Sequence, residues 1–138
     1  MRLISQLELA DCRAIVAAAQ SEAAQRQALV SVAVVDAGGH PLLLERRDGG
    51  SPASVEAALA KARMAALNAK PTEVMEAAIN GERPALMQLS GAMGEPTLAM
   101  AGGLPLLHQG VCLGAVGVSG MTPDVDGAIA TVGAAALP

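Results

Sequence analysis

The chain has 138 residues, a formal net charge of −4 and 52% hydrophobic residues, which is the size and composition of one globular domain. With 16% charged residues and this apolar content, it is not a disordered segment. It contains no Phe, Trp or Tyr and nine Lys and Arg, so it offers neither rings to stack on bases nor a basic surface for phosphates. We therefore expect no nucleic-acid partner.

The sequence shows no membrane-spanning or secretory pattern. No run of about 18 uncharged apolar residues is present, and Glu8 and Asp11 interrupt the apolar stretch near the N-terminus. We expect a cytoplasmic protein without a membrane partner. Cys12 and Cys112 are the only cysteines, and we interpret both as reduced, small hydrophobic residues.

The first half of the chain predicts a helix, a hairpin and a second helix. Apolar residues recur at helical spacing over Ser5–Gln27, whose first residue is the predicted cap. The runs Leu29–Asp36 and Pro41–Arg46 flank a glycine turn, which predicts a β-hairpin. After a Gly- and Pro-containing break over 47–52, the Ala-rich stretch 53–69 predicts a helix.

Shorter elements are predicted in the middle of the chain. A third helix is expected from Thr72, its predicted cap, to about Ile79. The segment Pro84–Ser90 predicts one more short helix, and Thr97–Met100 predicts a short strand. The pair Gly102-Gly103 is interpreted as a turn.

The last third of the chain predicts a second hairpin and a C-terminal helix. The strands are Leu104–His108 and Val111–Ser119, and Thr122 and Pro123 are typical of the cap and first residue of a helix. Because hairpins dominate the connections, the order of elements predicts an α+β fold. We expect a single domain over 1–138 with a mainly antiparallel sheet of about five strands, flanked by helices in two or three layers.

Four segments together resemble a known family. They are Val32–Gly50, Ala58–Ala66, Gly102–Gly120 and the predicted helix that follows. In order and spacing they resemble the GlcG/HbpS family, also called the haem-degrading domain, which is similar to the C-terminal domain of PduO-type adenosyltransferases. The resemblance covers essentially the whole chain. Its most specific part is the GG-x-P motif together with GAVGVSG.

The resemblance implies a profilin-like α/β domain with an antiparallel sheet, and homo-oligomers such as dimers, tetramers or octamers. It also implies a small-molecule ligand, since some members bind or degrade haem or a related tetrapyrrole. Members that bind haem can take the iron ligand from a histidine of the first helix, whereas the predicted helix Ser5–Gln27 contains no histidine. The resemblance therefore suggests haem without assigning it, and the cofactor stays open.

The charged cluster after the first hairpin is a candidate binding site. Arginine can hold a carboxylate through two parallel hydrogen bonds, so Arg46 or Arg47 is interpreted as the anchor of an acidic ligand. Asp48 would then orient that ligand or transfer a proton. The alternative is that these side chains pair with one another and hold the loop.

Lys61 and Glu95 are the other candidate catalytic residues. Lys61 shares a predicted helix face with small residues, where a lysine can act as a base or form a Schiff base. The alternative is a lysine that reaches solvent or closes an ion pair at an interface. Glu95 lies in the glycine-containing loop 91–96 and is a candidate general base.

Residues around the second hairpin are candidates for lining a pocket. Ser119 and its neighbours Gly114, Gly117 and Gly120 expose backbone N–H groups that can bind an anion. Gly102 and Gly103 are interpreted as lining the mouth of a pocket. The alternative for both groups is close packing of strand on helix. His40 and His108 are interpreted as turn histidines, because neither has a metal-ligand spacing around it. We expect no metal site.

Two functions and a structural alternative follow. The first is an oligomeric protein that binds haem, a related tetrapyrrole or a small organic acid at a subunit boundary, with Arg46, Arg47 and Lys61 supplying positive charge. The second is a cofactor-independent catabolic enzyme of tautomerase, deaminase or hydrolase type acting on a small anionic metabolite, with Lys61, Asp48 and Glu95 transferring protons. The third is a structural subunit without pocket chemistry.

Overall fold

The computed structural model describes residues 1–138 and contains five α-helices and four β-strands. A 3₁₀ turn, Pro84–Gln88, precedes the fourth helix. None of the helices has both the length and the apolar character that crossing a membrane requires. The elements in chain order are α1 (Leu9–Gln25), β1 (Ser31–Asp36), β2 (Pro41–Arg46), α2 (Ala53–Asn68), α3 (Thr72–Ile79), α4 (Leu89–Met93), β3 (Gly103–His108), β4 (Val111–Ser119) and α5 (Pro123–Ala134).

The four strands form one antiparallel sheet in the order β2-β1-β4-β3. Since β1 pairs with β2 and β3 pairs with β4, both predicted hairpins are confirmed. The hairpins join through β1 and β4, where Ser31 lies opposite Ser119 and Asp36 lies opposite Gly114. One end of the sheet therefore carries Ser31 and Ser119, and the other end carries the β1–β2 turn.

The sheet has four strands, so the expectation of about five is wrong. The segment Thr97–Met100 lies outside the sheet, because the Leu98 N–H donates to a carbonyl oxygen of α2 at 3.1 Å. The predicted turn at Gly102-Gly103 is also wrong. Gly103 opens β3, and Gly102 O accepts a hydrogen bond from Val118 N at 2.8 Å, which extends the pairing with β4.

Helices cover both faces of the sheet, which gives three layers. On one face, α1 and α5 pack on a core of larger side chains that includes Ile15, Leu106 and Ile129. On the other face, α2 packs on a core in which only one side chain is larger than alanine. This second core consists of Ala33, Val35, Ala58, Ala62, Ala65, Ala66 and Ala115.

Small residues allow α2 to lie very close to the sheet. At Gly117 of β4 a Cβ atom would clash with Ala58 O and lie 2.7 Å from Ala62 N, both in α2. A glycine inside a strand loses packing area, and it is retained where another backbone approaches closely. The interpretation of this glycine-rich strand as one that packs closely on a helix therefore holds at Gly117.

The predicted start of the first helix is wrong. The helix begins at Leu9 rather than near Ser5, because Glu8 occupies the capping position. The Glu8 N–H donates to Asp11 Oδ2 at 2.8 Å, which satisfies one of the backbone donors that a helix start leaves free. The cap of the helix thus lies three residues later than predicted.

Thr72 does not cap α3 as predicted, whereas Thr122 caps α5. Thr72 lies inside the first turn of α3, and its Oγ1 accepts a hydrogen bond from Gly103 N at 2.8 Å. Its hydroxyl therefore links α3 to β3. In α5, Thr122 Oγ1 accepts from Val125 N at 3.4 Å, as the Thr-Pro pattern predicts.

Candidate functional site

Lys61, a predicted catalytic residue, is buried in an ion pair. Its side chain is 1% exposed, and Nζ donates to Asp126 Oδ2 and to Val118 O, both at 3.0 Å. The other carboxylate oxygen of Asp126 accepts from Met121 N at 3.0 Å. The ion pair therefore ties α2 to α5 past the end of the sheet.

Two of the predicted glycines lie beside this ion pair. A Cβ atom at Gly102 would lie 2.9 Å from Lys61 Nζ, so the missing side chain leaves room for the lysine to reach Asp126. Gly102 also has a φ of +125°, which residues with a side chain rarely adopt. Gly103 is tied to Thr72 through its N–H. The structure thus brings Lys61, Gly102 and Gly103 together.

Gly102 and Gly103 also lie on the wall of a cavity of about 220 Å³. The carboxylates of Glu73 and Asp124 line the same cavity, and no basic residue does. Two carboxylates disfavour an anionic ligand such as a small organic acid. This cavity is therefore a weak candidate for an acidic ligand.

Arg46, Arg47 and Asp48 lie in exposed positions where β2 leaves the sheet. None of the three forms an ion pair within the chain, so they do not hold the loop by pairing with one another. Ser119 lies at the same end of the sheet, because Ser31 of β1 pairs with both Arg46 and Ser119. Their roles in binding or catalysis stay predictions.

Glu95 lies at the opposite end of the sheet. With His40 it lines a cavity of about 280 Å³ beside the β1–β2 turn. That turn follows Asp36 at the far end of β1, and six residues of strand span about 17 Å. The three residues predicted to transfer protons, Lys61, Asp48 and Glu95, therefore do not meet in one chain.

The same end of the sheet carries a second opening that sequence reasoning missed. This hairpin-end cavity has a volume of about 370 Å³ and lies between the N-terminal segment, the β1–β2 turn and the start of β4. Its wall combines apolar side chains with an imidazole, a carboxylate and a thiol. The lining includes Leu7, Asp36, His40, Leu42, Cys112 and Leu113.

Asp36 and His40 form the polar edge of the hairpin-end cavity. Asp36 Oδ1 accepts from the backbone N–H groups of Gly38 and His40 at 2.9 and 3.0 Å, so the carboxylate holds the turn. The ring atom His40 Nδ1 lies 3.2 and 3.3 Å from the two carboxylate oxygens. The imidazole is 80% exposed, and its Nε2 forms no hydrogen bond.

The pairing of Asp36 with His40 has a local signal in the sequence. An aspartate that opens a glycine turn, followed four residues later by a histidine, brings both side chains to one side of the turn. The sequence does not indicate the apolar wall of the hairpin-end cavity, because Leu7 and Leu113 are far from Asp36 and His40 in the chain. No group of three or more His, Cys, Asp or Glu side chains is arranged to hold a metal ion.

Comparison with known proteins identifies the family. The family model described as "Haem degrading protein HbpS-like" matches residues 7–135. Protein GlcG of Escherichia coli K12 is 40% identical over 107 residues, which are 77% of this chain and 75% of that protein.

Solved structures agree with this match. The crystal structure of HbpS superposes with a TM-score of 0.90 at 32% identity, covering 100% of this chain and 94% of HbpS. A crystal structure of a PduOC–haem complex superposes with a TM-score of 0.85 at 28% identity, covering 96% and 95%. The protein therefore belongs to the HbpS-like family.

Proposed function

We propose that this protein is a homo-oligomeric binding protein for a small organic ligand, and that the ligand occupies the hairpin-end cavity. The observation that carries the proposal is the geometry of His40. Asp36 holds its Nδ1 at the rim of a cavity with apolar walls, and Nε2 is left free for a ligand. A mostly apolar cavity of about 300 Å³ or more with a few convergent polar groups is typical of small-molecule sites.

These residues fit a tetrapyrrole. A histidine whose Nδ1 is held by a carboxylate is the usual form of an imidazole metal ligand, and histidine is a common axial ligand of haem iron. The side chains of Leu7, Leu42 and Leu113 would contact the apolar ring. The haem complex of the related PduOC supports this ligand class. The first helix offers no replacement, because it lacks histidine and its Cys12 is fully buried.

Two alternatives to haem binding remain from the sequence, namely a different ligand in the same cavity and a catabolic enzyme. A small organic acid would use the same cavity through its carboxylate and the His40 imidazole. The catabolic-enzyme alternative needs Lys61, Asp48 and Glu95 at one site, and these residues lie apart. Binding is therefore the function that the geometry supports best.

A haem titration followed in the Soret region tests the proposal. We expect saturable binding of one haem per subunit with a sharp, shifted band. His40→Ala should weaken haem binding about tenfold or more, because it removes the imidazole proposed to coordinate the haem iron. His108→Ala is the matched control and should bind as the wild type does, since His108 lies in the other hairpin and lines neither cavity at the β1–β2 turn.

Small acids are tested in parallel by thermal shift. Stabilisation by an acid that disappears in His40→Ala would assign the acid class to the same cavity. If wild type binds neither haem nor any acid, the proposal is wrong and the structural-subunit hypothesis is favoured. Haem binding that is unchanged in His40→Ala would also overturn the assignment of the ligand to this cavity.

A further inference from the structure

Strand β2 is an open edge of the sheet. It pairs with β1 on one side, and no strand pairs with its other side. Five of its six residues are exposed, and Leu43 is the exception. An edge strand leaves a row of unpaired backbone N–H and C=O groups, which is a template for another strand.

The opposite edge of the sheet, β3, is protected. Pro105 lies within this strand and has no backbone N–H to offer. The start of β3 is covered by α3, where Thr72 bonds to Gly103. Gly103 and Leu106 of this strand are buried. The molecule thus leaves one edge available for pairing.

The side chains of β2 are apolar at its centre. Leu42 and Leu44 are 38% and 37% exposed on the strand itself. Proteins that remain monomeric usually place charges or prolines on an open edge to prevent pairing. Here the proline and the charges of β2 lie at its two ends, at Pro41, Glu45 and Arg46, and its centre carries neither.

Unpaired arginines lie at one end of β2, beside Glu45 and Asp48, and carboxylates lie at the other end, beside Arg63. Arg46 and Arg47, at its exit, are exposed and have no ion-pair partner in the chain. The carboxylates of Asp36 and Glu95 lie at its entry, beside the β1–β2 turn. Antiparallel pairing of two β2 strands places the exit of each strand beside the entry of the other.

We infer that β2 pairs antiparallel with β2 of a second copy of this chain, and that Arg46 and Arg47 of the second copy complete the hairpin-end cavity. When the leucines of two copies face each other, Arg46 of the second copy lies opposite His40 or Leu42. Both residues line the cavity, which has no basic residue besides His40 in its own chain.

This inference rests on the proposed function, which assigns a small organic ligand to the hairpin-end cavity. The arginines of the second copy restrict that ligand to a molecule with carboxylate groups. The His40 imidazole and the apolar wall come from one copy. Guanidinium groups from the other copy would bind the carboxylates through parallel hydrogen bonds. An organic acid, or a porphyrin with its acidic side chains, has this chemistry.

Light scattering tests the interface without any ligand. Wild type should have a mass that is a multiple of two 13.7 kDa chains. Leu44→Lys should weaken dimerisation about tenfold or more, because the lysines of the two copies would lie opposite or diagonal to each other near the twofold axis. Leu107→Lys is the matched control, an exposed leucine of the protected edge strand. A monomeric wild type, or equal masses in all three proteins, would overturn the inference.

Hydrogen exchange provides a readout that needs no variant. The amides of residues 42–46 that face away from β1 should exchange more slowly as the wild-type concentration rises, because pairing protects them. Exchange that does not depend on concentration in a protein that is nevertheless dimeric would place the interface elsewhere and overturn the inference.

Complementation tests whether the site is shared. His40→Ala and the double variant Arg46→Ala/Arg47→Ala should each bind haem weakly. The two variants are co-expressed with different tags and purified through both tags, which selects mixed dimers. In each mixed dimer one site has both His40 and the arginines, and the other site has neither. About half of the sites should therefore regain wild-type affinity. No recovery would mean that the arginines do not act across the interface. Wild type could bind no ligand while Leu44→Lys still lowers the mass measured by light scattering. The proposed function would then be wrong, and the β2 interface would be supported.

Discussion

Burial determines what Lys61 can do. A buried ammonium loses its hydration, and only a charged partner with further hydrogen bonds offsets that cost. Asp126 supplies the charge and Val118 O supplies a second acceptor, while the lysine is 1% exposed. In this structure the lysine ties two helices together, and a ligand would reach Nζ only after the ion pair separates.

We expect Asp126→Ala to lower the free energy of unfolding by about 3–5 kcal/mol, because it leaves the Lys61 ammonium buried without a partner. The double variant Lys61→Met/Asp126→Ala should recover a large part of this loss. Urea denaturation followed by circular dichroism measures both values. Asp124→Ala, an exposed carboxylate in the same helical turn, is the control and should cost less than about 1 kcal/mol. Equal losses in the two single variants would contradict a buried pair.

Cys12 gives the stability a pH dependence. The thiol is free and fully buried in α1. Burial raises its pKa above the ordinary value of 9.0, and the negative charge of Asp11 raises the pKa further. The folded thiol therefore keeps its proton to a higher pH than the unfolded thiol does. This contribution to stability is intact below about pH 9 and is lost as the pH rises through the folded pKa.

The expected result is a free energy of unfolding that falls with pH above about pH 9, with a thiol contribution of up to about 1.4 kcal/mol per pH unit. Cys12→Ala should make this decline shallower by that amount, whereas Cys112→Ala, at a half-buried position, should not. Urea denaturation between pH 7 and 10 measures the slopes. A slope unchanged by Cys12→Ala would show that other groups cause the decline.

At the level of elements, the position of α2 depends on the absence of one side chain. Gly117→Ala would place a Cβ against Ala58 O and Ala62 N, which are backbone atoms and cannot rotate away. We expect a loss of about 1–3 kcal/mol in the free energy of unfolding. Gly91→Ala is the control, since a Cβ there meets nothing within 4 Å and alanine favours the short helix α4. Equal stabilities of the two variants would contradict the close approach.

Elements with strong local patterns were predictable from the sequence. The hairpins follow from short apolar runs around glycine-containing turns, and α5 follows from Thr122 and Pro123. The errors have non-local causes. Thr72 looks like a cap, but its hydroxyl bonds to Gly103, which lies 31 residues away. Thr97–Met100 is predicted as a strand, but the edge that follows it in the chain, β3, is protected by α3 and Pro105.

The candidate site was less predictable than the fold. Residue types alone do not say which end of a sheet a loop reaches, so Glu95 and Lys61 could be grouped in sequence although they lie at different ends. The burial of Lys61 depends on Asp126, which lies 65 residues away. In contrast, Asp36 and His40 lie in one turn, and their pairing is a local property that the sequence carries.

At the scale of the whole molecule, the amino-acid composition determines which apolar side chains remain exposed at the surface. The core under α2 is filled almost entirely by alanine, and no aromatic residue is present anywhere. Several leucines, among them Leu29, Leu42, Leu44 and Leu107, are between 37% and 54% exposed. With 16% charged residues to surround them, this surface favours association between copies. Stability should therefore depend on assembly.

The melting temperature should rise with protein concentration, because subunits that associate only when folded stabilise the native state by mass action. For a dimer of this size we expect about 2–4 °C for each tenfold increase in concentration. The Leu44→Lys variant should lose this dependence, since it disrupts the β2 edge, and Leu107→Lys should keep it. Scanning calorimetry over a hundredfold concentration range measures all three slopes. A wild-type melting temperature that does not change with concentration would mean that the exposed leucines are not used in assembly.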